Sequence, residues 1–513
     1  MAATHTAPID REATFRETWS EGMANTLCKV LDRYEFWCWA VFTASYLGWA
    51  VVAATKKGYW FDELVTHYVD ILPDWSAVWN ALRIGADANP PLMHAFNRAI
   101  LAVAGDTPAA LRASSIFGVW LACFCLYWIV RRKSPAATAW IAALFPLLSG
   151  ASAYAIEARP YGLVLGFTAL AYLCWQRRGL QQGWTLGLAL SVAALVSCHY
   201  YAVFATIPFW CAEAFRLWRS RRLDWANPLA LAAGYLPLIF YWPMIAGARQ
   251  YSANAFAMPS WGSLSEVYGF LLGSSIPLLA VVLAWLLYQA SHRSMTLAWR
   301  LTITETVLAI SFCVLPLAIV LIGRFITHGL LPRYTLPALV GMSVVAALLA
   351  EVAFSRLQMA LLLVALAGYI GVERGVSLRG LPPERAFEWT QQTAIEPSLP
   401  VVHGSSTQYV ELFQSAPAEL RERFYTLADP VEQGRRTGST AEDLGALHLM
   451  PISPLHVEKP AAFLAAHRRF YFIQPPIRNA WVLAKLIEDG ADARLLAASP
   501  ASTLYMVTMK AGQ

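Results

Sequence analysis

The feature that most constrains this chain is the recurrence of apolar runs long enough to cross a bilayer. A spanning helix needs roughly 17 to 25 mostly apolar residues. Runs near 34–54, 109–130, 135–154, 160–176, 184–199, 201–218, 226–246, 266–288, 301–323, 335–353 and 357–373 meet or approach that length. About eleven spans are therefore expected, in a polytopic α-helical membrane protein. Composition agrees, because a chain that is 57% hydrophobic and only 14% charged is too apolar for an ordinary soluble domain. The first run begins too far along for a typical cleaved signal peptide and is expected to remain as a helix.

Loop charge sets the orientation. Basic clusters at 131–133, 176–178, 219–222 and 292–293 and the link at 355–358 alternate with loops that carry fewer cations, so the positive-inside rule places them in the cytoplasm of an inner membrane. Residues 1–33 then form a cytoplasmic segment, residues 34–373 a membrane domain, and residues 374–513 an extracytoplasmic domain. Lys56 and Lys57 fall outside in this scheme, against the rule. The scheme also requires LMHAFNRAILAVA, residues 92–104, not to cross. About 13 residues are too few to span, so this run is expected as an interfacial helix, within a structured first outer loop at 55–108. Asp106-Thr107-Pro108 supplies the cap and first-turn proline of the next span.

After about residue 374 the texture becomes that of a soluble domain. Short β-rich runs such as RRFYFIQ alternate with helical patterns such as TQYVELFQSAPAELRERF and close on a hairpin, the pattern of a small α/β domain. It contains no glycine-rich phosphate loop, so nucleotide binding is not supported. The 8 cysteines lie in or beside the apolar runs and indicate neither a disulfide framework nor a zinc knuckle. The net charge of +6 reads as cytoplasmic loop charge, not as a nucleic-acid footprint.

Four outward pieces carry ionisable groups at helix ends: FDEL at 61–64, DANPPLMH at 87–94, IEARPYG at 156–162 and GRFITHGLLPRYTLPAL at 323–339. Burial and neighbouring charge can tune such groups for chemistry. Asp62 and Glu63 are adjacent, so on a helix they point about 100° apart and cannot serve one small site equally. One of them suits a general base; the alternative is two first-turn carboxylates complementing a helix dipole. Asp87, Asn89 and His94 can line a pocket beside the rigid Pro90-Pro91 pair. Glu157 can orient a sugar or the base, Arg159 can bind an anionic head group, and Tyr161 opens the next helix. Arg324, His328 and Arg333 form a second cationic group suited to phosphate.

The order of FDE, NPPL, GDTPAALRASSIFG and IEARPYGL over residues 34–200, with LPRYTLPAL further on, resembles the GT-C membrane glycosyltransferases. The likeness is to the bacterial group similar to protein O-mannosyltransferases and aminoarabinose transferases. The resemblance implies inverting transfer of a sugar from a polyprenyl-phosphate donor to a glycan, lipid or protein acceptor on the extracytoplasmic face. It places the first-loop acid on Asp62, with Glu63 beside it, the second-loop acid on Glu157, basic positions on Arg112 and Arg159, and the following aromatic on Tyr161. Some members use a divalent cation and others do not, so a metal is left open. The rival reading, a transporter or flippase of a lipid-linked sugar, favours ionisable groups near the membrane midplane. Here Glu213 and Glu305 lie near the cytoplasmic ends, and the other acids cluster outside.

Overall fold

The computed structural model describes residues 29–178, 181–221, 224–252, 259–292, 300–477 and 479–510. Most of the predicted cytoplasmic segment, residues 1–28, lies outside these. Among the described residues five helices are long and apolar enough to span, namely Glu35–Lys56 (α1), Pro108–Arg131, Gly262–Ser291, Ile303–Thr327 and Arg356–Ser377. A pair bent by 69°, Ala226–Phe240 with Trp242–Tyr251, makes up to six, and four shorter apolar helices pack among them. The chain is a multi-pass membrane protein. One expected run divides: residues 200–206 form a 3-10 stretch, and the α-helix begins only at Ile207 and ends at Ser220.

Close backbone approach fixes the centre of the bundle. A Cβ on Gly118 would lie 2.3 Å from the Gly162 carbonyl carbon, and one on Gly166 would lie 2.5 Å from the Gly118 oxygen. Small residues of this kind let membrane helices pack backbone to backbone. The Ser115 hydroxyl then donates to the Arg159 carbonyl at 2.6 Å, so this contact also fixes the turn that carries Arg159.

The segment between the first two spans folds into three helices, Phe61–Asp70 (α2), Trp75–Ile84 (α3) and Pro91–Ala104 (α4), before the span Pro108–Arg131 (α5). Asp74 caps α3 by accepting from Ala77 N at 2.8 Å, and Gly85 ends it at φ 86°, a conformation that suits glycine. Pro91 starts α4 at a position where no N–H is needed. Thr107 caps α5, while Asp106 turns instead to His67 at 3.0 Å.

The C-terminal domain is a six-stranded mixed sheet of Val401–His403 (β1), Phe424–Leu427 (β2), His456–Glu458 (β3), Arg469–Gln474 (β4), Ala491–Ala498 (β5) and Thr503–Met509 (β6), in the order β3-β2-β1-β4-β6-β5. The first four are parallel neighbours, and β6 runs antiparallel to both β4 and β5. One of its hydrophobic cores is shared with the loop, because Leu64, Val65 and Tyr68 of α2 pack with Val401, Tyr409 and Phe424. Polar links add register: Phe61 N donates to Glu411 at 3.0 Å, Gln414 donates to the Tyr68 hydroxyl at 2.7 Å, and Gly58 N donates to the Pro382 carbonyl at 2.9 Å. Helix α2 is thus held between the bundle and the sheet.

Candidate active site

Between these two bodies lies a cavity of about 470 Å³. Its walls come from the start of α2, the Asp87–Asn89 turn, Arg159 and Tyr161, the His199–Tyr201 turn, the loop around Arg333 and the loops of the C-terminal sheet. The volume falls in the range of small-molecule sites.

The adjacent acids of α2 part company. Glu63 is fully buried and turned toward α5, where it accepts from Arg112 Nε and Nη2, both at 2.7 Å, and from Ala158 N at 2.7 Å. Arg112 is equally buried and spends its remaining donors on the carbonyls of Ala54, Lys57 and Gly58. Neither residue borders the cavity; together they clamp the segment before α5 to the bundle. Asp62, about 100° round the helix, does border it. Its carboxylate accepts from Arg333 Nη2 at 3.2 Å and lies 3.9 Å from Arg159 Nε, and its side chain is 22% exposed.

Two guanidinium groups face this acid. Arg159 donates through Nη1 to the Asp62 carbonyl at 3.0 Å, the Thr66 hydroxyl at 3.0 Å and Asp87 Oδ2 at 3.4 Å, while its buried Nε has no hydrogen-bond partner. Arg333 donates through Nε to the Tyr161 hydroxyl at 2.9 Å. Burial works against the charge of each, but carboxylates outweigh it at Arg159 (Asp87 and Asp62), and Tyr161 and Asp62 do so at Arg333; both pKa values stand above the ordinary arginine value. Burial and the two arginines push His199 down to about 3, so this cavity residue is neutral at physiological pH.

Behind the wall, Asp87 accepts from Asn89 Nδ2 at 2.5 Å and from Thr66 Oγ1 at 3.0 Å. His94 pairs through Nδ1 with Asp70 at 2.7 Å and stands 3.7 Å from Asp87 through Nε2. Fully buried, it stands behind Asp87 and does not reach the cavity. Glu157 pairs with Lys57 at 2.7 Å and also lies off the cavity; burial raises its pKa despite Lys57. The lysine that stood against the charge rule therefore has an anionic partner on its own side. Arg324 donates to the Pro259 carbonyl at 3.1 Å, His328 is exposed, and neither lines the cavity with Arg333.

Of the sequence candidates, the cavity gathers Asp62, Asp87, Arg159, Tyr161 and Arg333. His199 and Tyr201, which belong to no motif, join them beside Tyr334 of the LPRYTLPAL stretch. Tyr201 and Tyr334 stack at 4.6 Å between ring centres, and His199 packs 5.1 Å from Tyr334. For His199 and Tyr201 the sequence hint is the aromatic density of HYY at 199–201. Among the described residues no group of three His, Cys, Asp or Glu comes together as a metal site, and Asp62 and Asp87 are already engaged by guanidinium.

No family model matches the sequence, and no curated protein matches it. Solved structures do. The chain aligns with the crystal structure of ArnT from Cupriavidus metallidurans in the apo state at TM-score 0.54 and 12% identity, over 91% of this chain and 97% of that one. ArnT from the same organism bound to undecaprenyl phosphate aligns at TM-score 0.52 and 12% identity, over 92% and 98%. ArnT is an aminoarabinose transferase of the GT-C class. At this identity the likeness establishes the fold, and the fold is the one the motif order implies.

Proposed function

We propose that this GT-C-fold protein is an inverting glycosyltransferase of the inner membrane. It moves a sugar from polyprenyl phosphate to a hydroxyl of a cell-envelope glycan, lipid or protein. In this reading about eleven spans put the N-terminus in the cytoplasm, and the cavity and C-terminal domain on the other side. The observation that carries the proposal is the setting of Asp62: of the adjacent acids it alone opens on the cavity, between the guanidinium groups of Arg159 and Arg333.

The chemistry follows from those three groups. Asp62 takes the proton of the acceptor hydroxyl as its oxygen bonds to the anomeric carbon from the face opposite the phosphate. The bond from that carbon to the phosphate oxygen breaks, and polyprenyl phosphate leaves with the electron pair. Its growing charge is met by the guanidinium groups of Arg333 and Arg159, which line the cavity before the reaction. No general acid is needed for a phosphate leaving group, so the paired acids of a glycosidase are not required. Tyr161 orients Arg333, and Thr66 and Asp87 orient Arg159.

The test uses purified protein in lipid nanodiscs with a polyprenyl-phosphate hexose and alkyl glycoside acceptors, scored for transfer and for movement of the lipid across the bilayer. Transfer to the acceptor is expected. Lipid movement without transfer would overturn the reading in favour of a flippase.

A further inference from the structure

Part of the cavity wall belongs to the C-terminal domain, and its place in the sheet is informative. Strand order reverses between β1 and β4, whose neighbours β2 and β6 lie on opposite sides. In open α/β sheets, ligands bind in the crevice outside the carboxyl ends of the strands at such a point. Thr407 follows the end of β1, Ser439 and Glu442 follow β2 and its helix, and Asn479 follows β4. All four line the same cavity as Asp62. The crevice of the sheet and the membrane-side site are one space.

The chemistry of this wall suits sugar hydroxyls. Asn479 Nδ2 donates to Glu442 Oε1 at 2.8 Å, which leaves the pair a second carboxylate oxygen, an amide carbonyl and an amide hydrogen. Adjacent acceptors and a donor match neighbouring hydroxyls on a ring, and Thr407 and Ser439 add groups that both donate and accept. The wall is also rigid. Asp443, next to Glu442, accepts from the Ser406 hydroxyl at 2.7 Å, Asp429 N at 3.0 Å and Trp481 Nε1 at 3.1 Å. The Asp443–Trp481 bond ties the helix that carries Glu442 to the segment that carries Asn479. The roughly 470 Å³ of the cavity exceeds what a phosphate alone would fill.

We propose that Thr407, Ser439, Glu442 and Asn479 form a sugar-hydroxyl subsite through which the C-terminal domain selects the carbohydrate. The inference rests on the glycosyltransferase reading above. The hydroxyls belong either to the sugar carried by the lipid or to a sugar on the acceptor, and kinetics separate the two.

The experiment compares full-length wild type, Glu442→Gln and Asn479→Ala in nanodiscs. Binding of bare polyprenyl phosphate and of polyprenyl-phosphate hexose is measured, with the KM of an alkyl glycoside acceptor and the melting temperature. Both variants are expected to fold and to bind bare polyprenyl phosphate as wild type does. Loss of a charge-assisted hydrogen bond should weaken one sugar-bearing ligand by about tenfold. A shift confined to the hexose-bearing lipid assigns the subsite to the donor, and a shift confined to the acceptor KM assigns it to the acceptor. Unchanged constants in both variants, beside an active wild type, would overturn the subsite alone. A wild type that neither binds the sugar-bearing lipid nor transfers from it would overturn the function and the subsite together.

Discussion

Two charge clusters flank α2, each made of two acids and two cations, and they are put to opposite uses. Behind the helix, Glu63, Glu157, Lys57 and Arg112 pair among themselves, and the inner pair, Glu63 and Arg112, is wholly buried and saturated by protein atoms. In front, Asp62, Asp87, Arg159 and Arg333 border a cavity and leave a buried guanidinium N–H without a partner. Equal formal charge thus gives a fastener on one side and a cavity wall on the other. The difference lies in where the groups face: the rear four pack against protein, whereas the front four line the cavity.

The strongest way to break the comparison is to open the rear cluster. Arg112→Met strands the Glu63 carboxylate in a dry interior, and removing one partner of a buried ion pair costs about 3 to 5 kcal/mol. Thermal unfolding in detergent should show that loss, with activity falling only in step with the folded fraction. In the front cluster the outcome inverts. Arg333→Met should lower transfer about 100-fold, the scale of one lost charge-stabilising donor, with a melting temperature close to wild type. A melting loss equal to that of Arg112→Met would make the front cluster structural too.

A smaller effect shows what burial does to an acid with no cation beside it. Asp443 accepts three hydrogen bonds and is still pushed up to about 6, with burial as the leading cause. The folded protein holds this proton more tightly than the unfolded chain does. The resulting stabilisation is complete below the ordinary aspartate value and is lost as pH rises through about 6. Unfolding measured from pH 4 to 7 should show a decline on the order of 2 kcal/mol in wild type and a flatter profile in Asp443→Asn.

How much of this was legible in the sequence depends on how local each signal is. The apolar runs, the proline start of α4 and the cap on α5 are local, and they can be read directly. So is the FDE motif, but not its division of labour. The choice between Asp62 and Glu63 is made by Arg112, which lies 49 positions beyond Glu63, and by the close packing of α5 at Gly118 that sets the Arg159 turn. The HYY turn reads as the start of another span because tyrosine-rich apolar sequence fits a membrane edge and a cavity wall equally well. Glu442 and Asn479 carry no motif. Their meeting depends on strand order, which no stretch of residues encodes by itself.

The division across α2 is tested by measuring sugar transfer per mole of folded protein in Asp62→Asn and Glu63→Gln, with donor binding and unfolding recorded for each. Loss of a general base predicts a drop of about 10² to 10⁴ for Asp62→Asn, with folding and donor binding retained. Glu63→Gln should lose stability and keep most of its activity per folded molecule. Undiminished transfer in Asp62→Asn, or a base-like loss in a well-folded Glu63→Gln, would contradict the assignment.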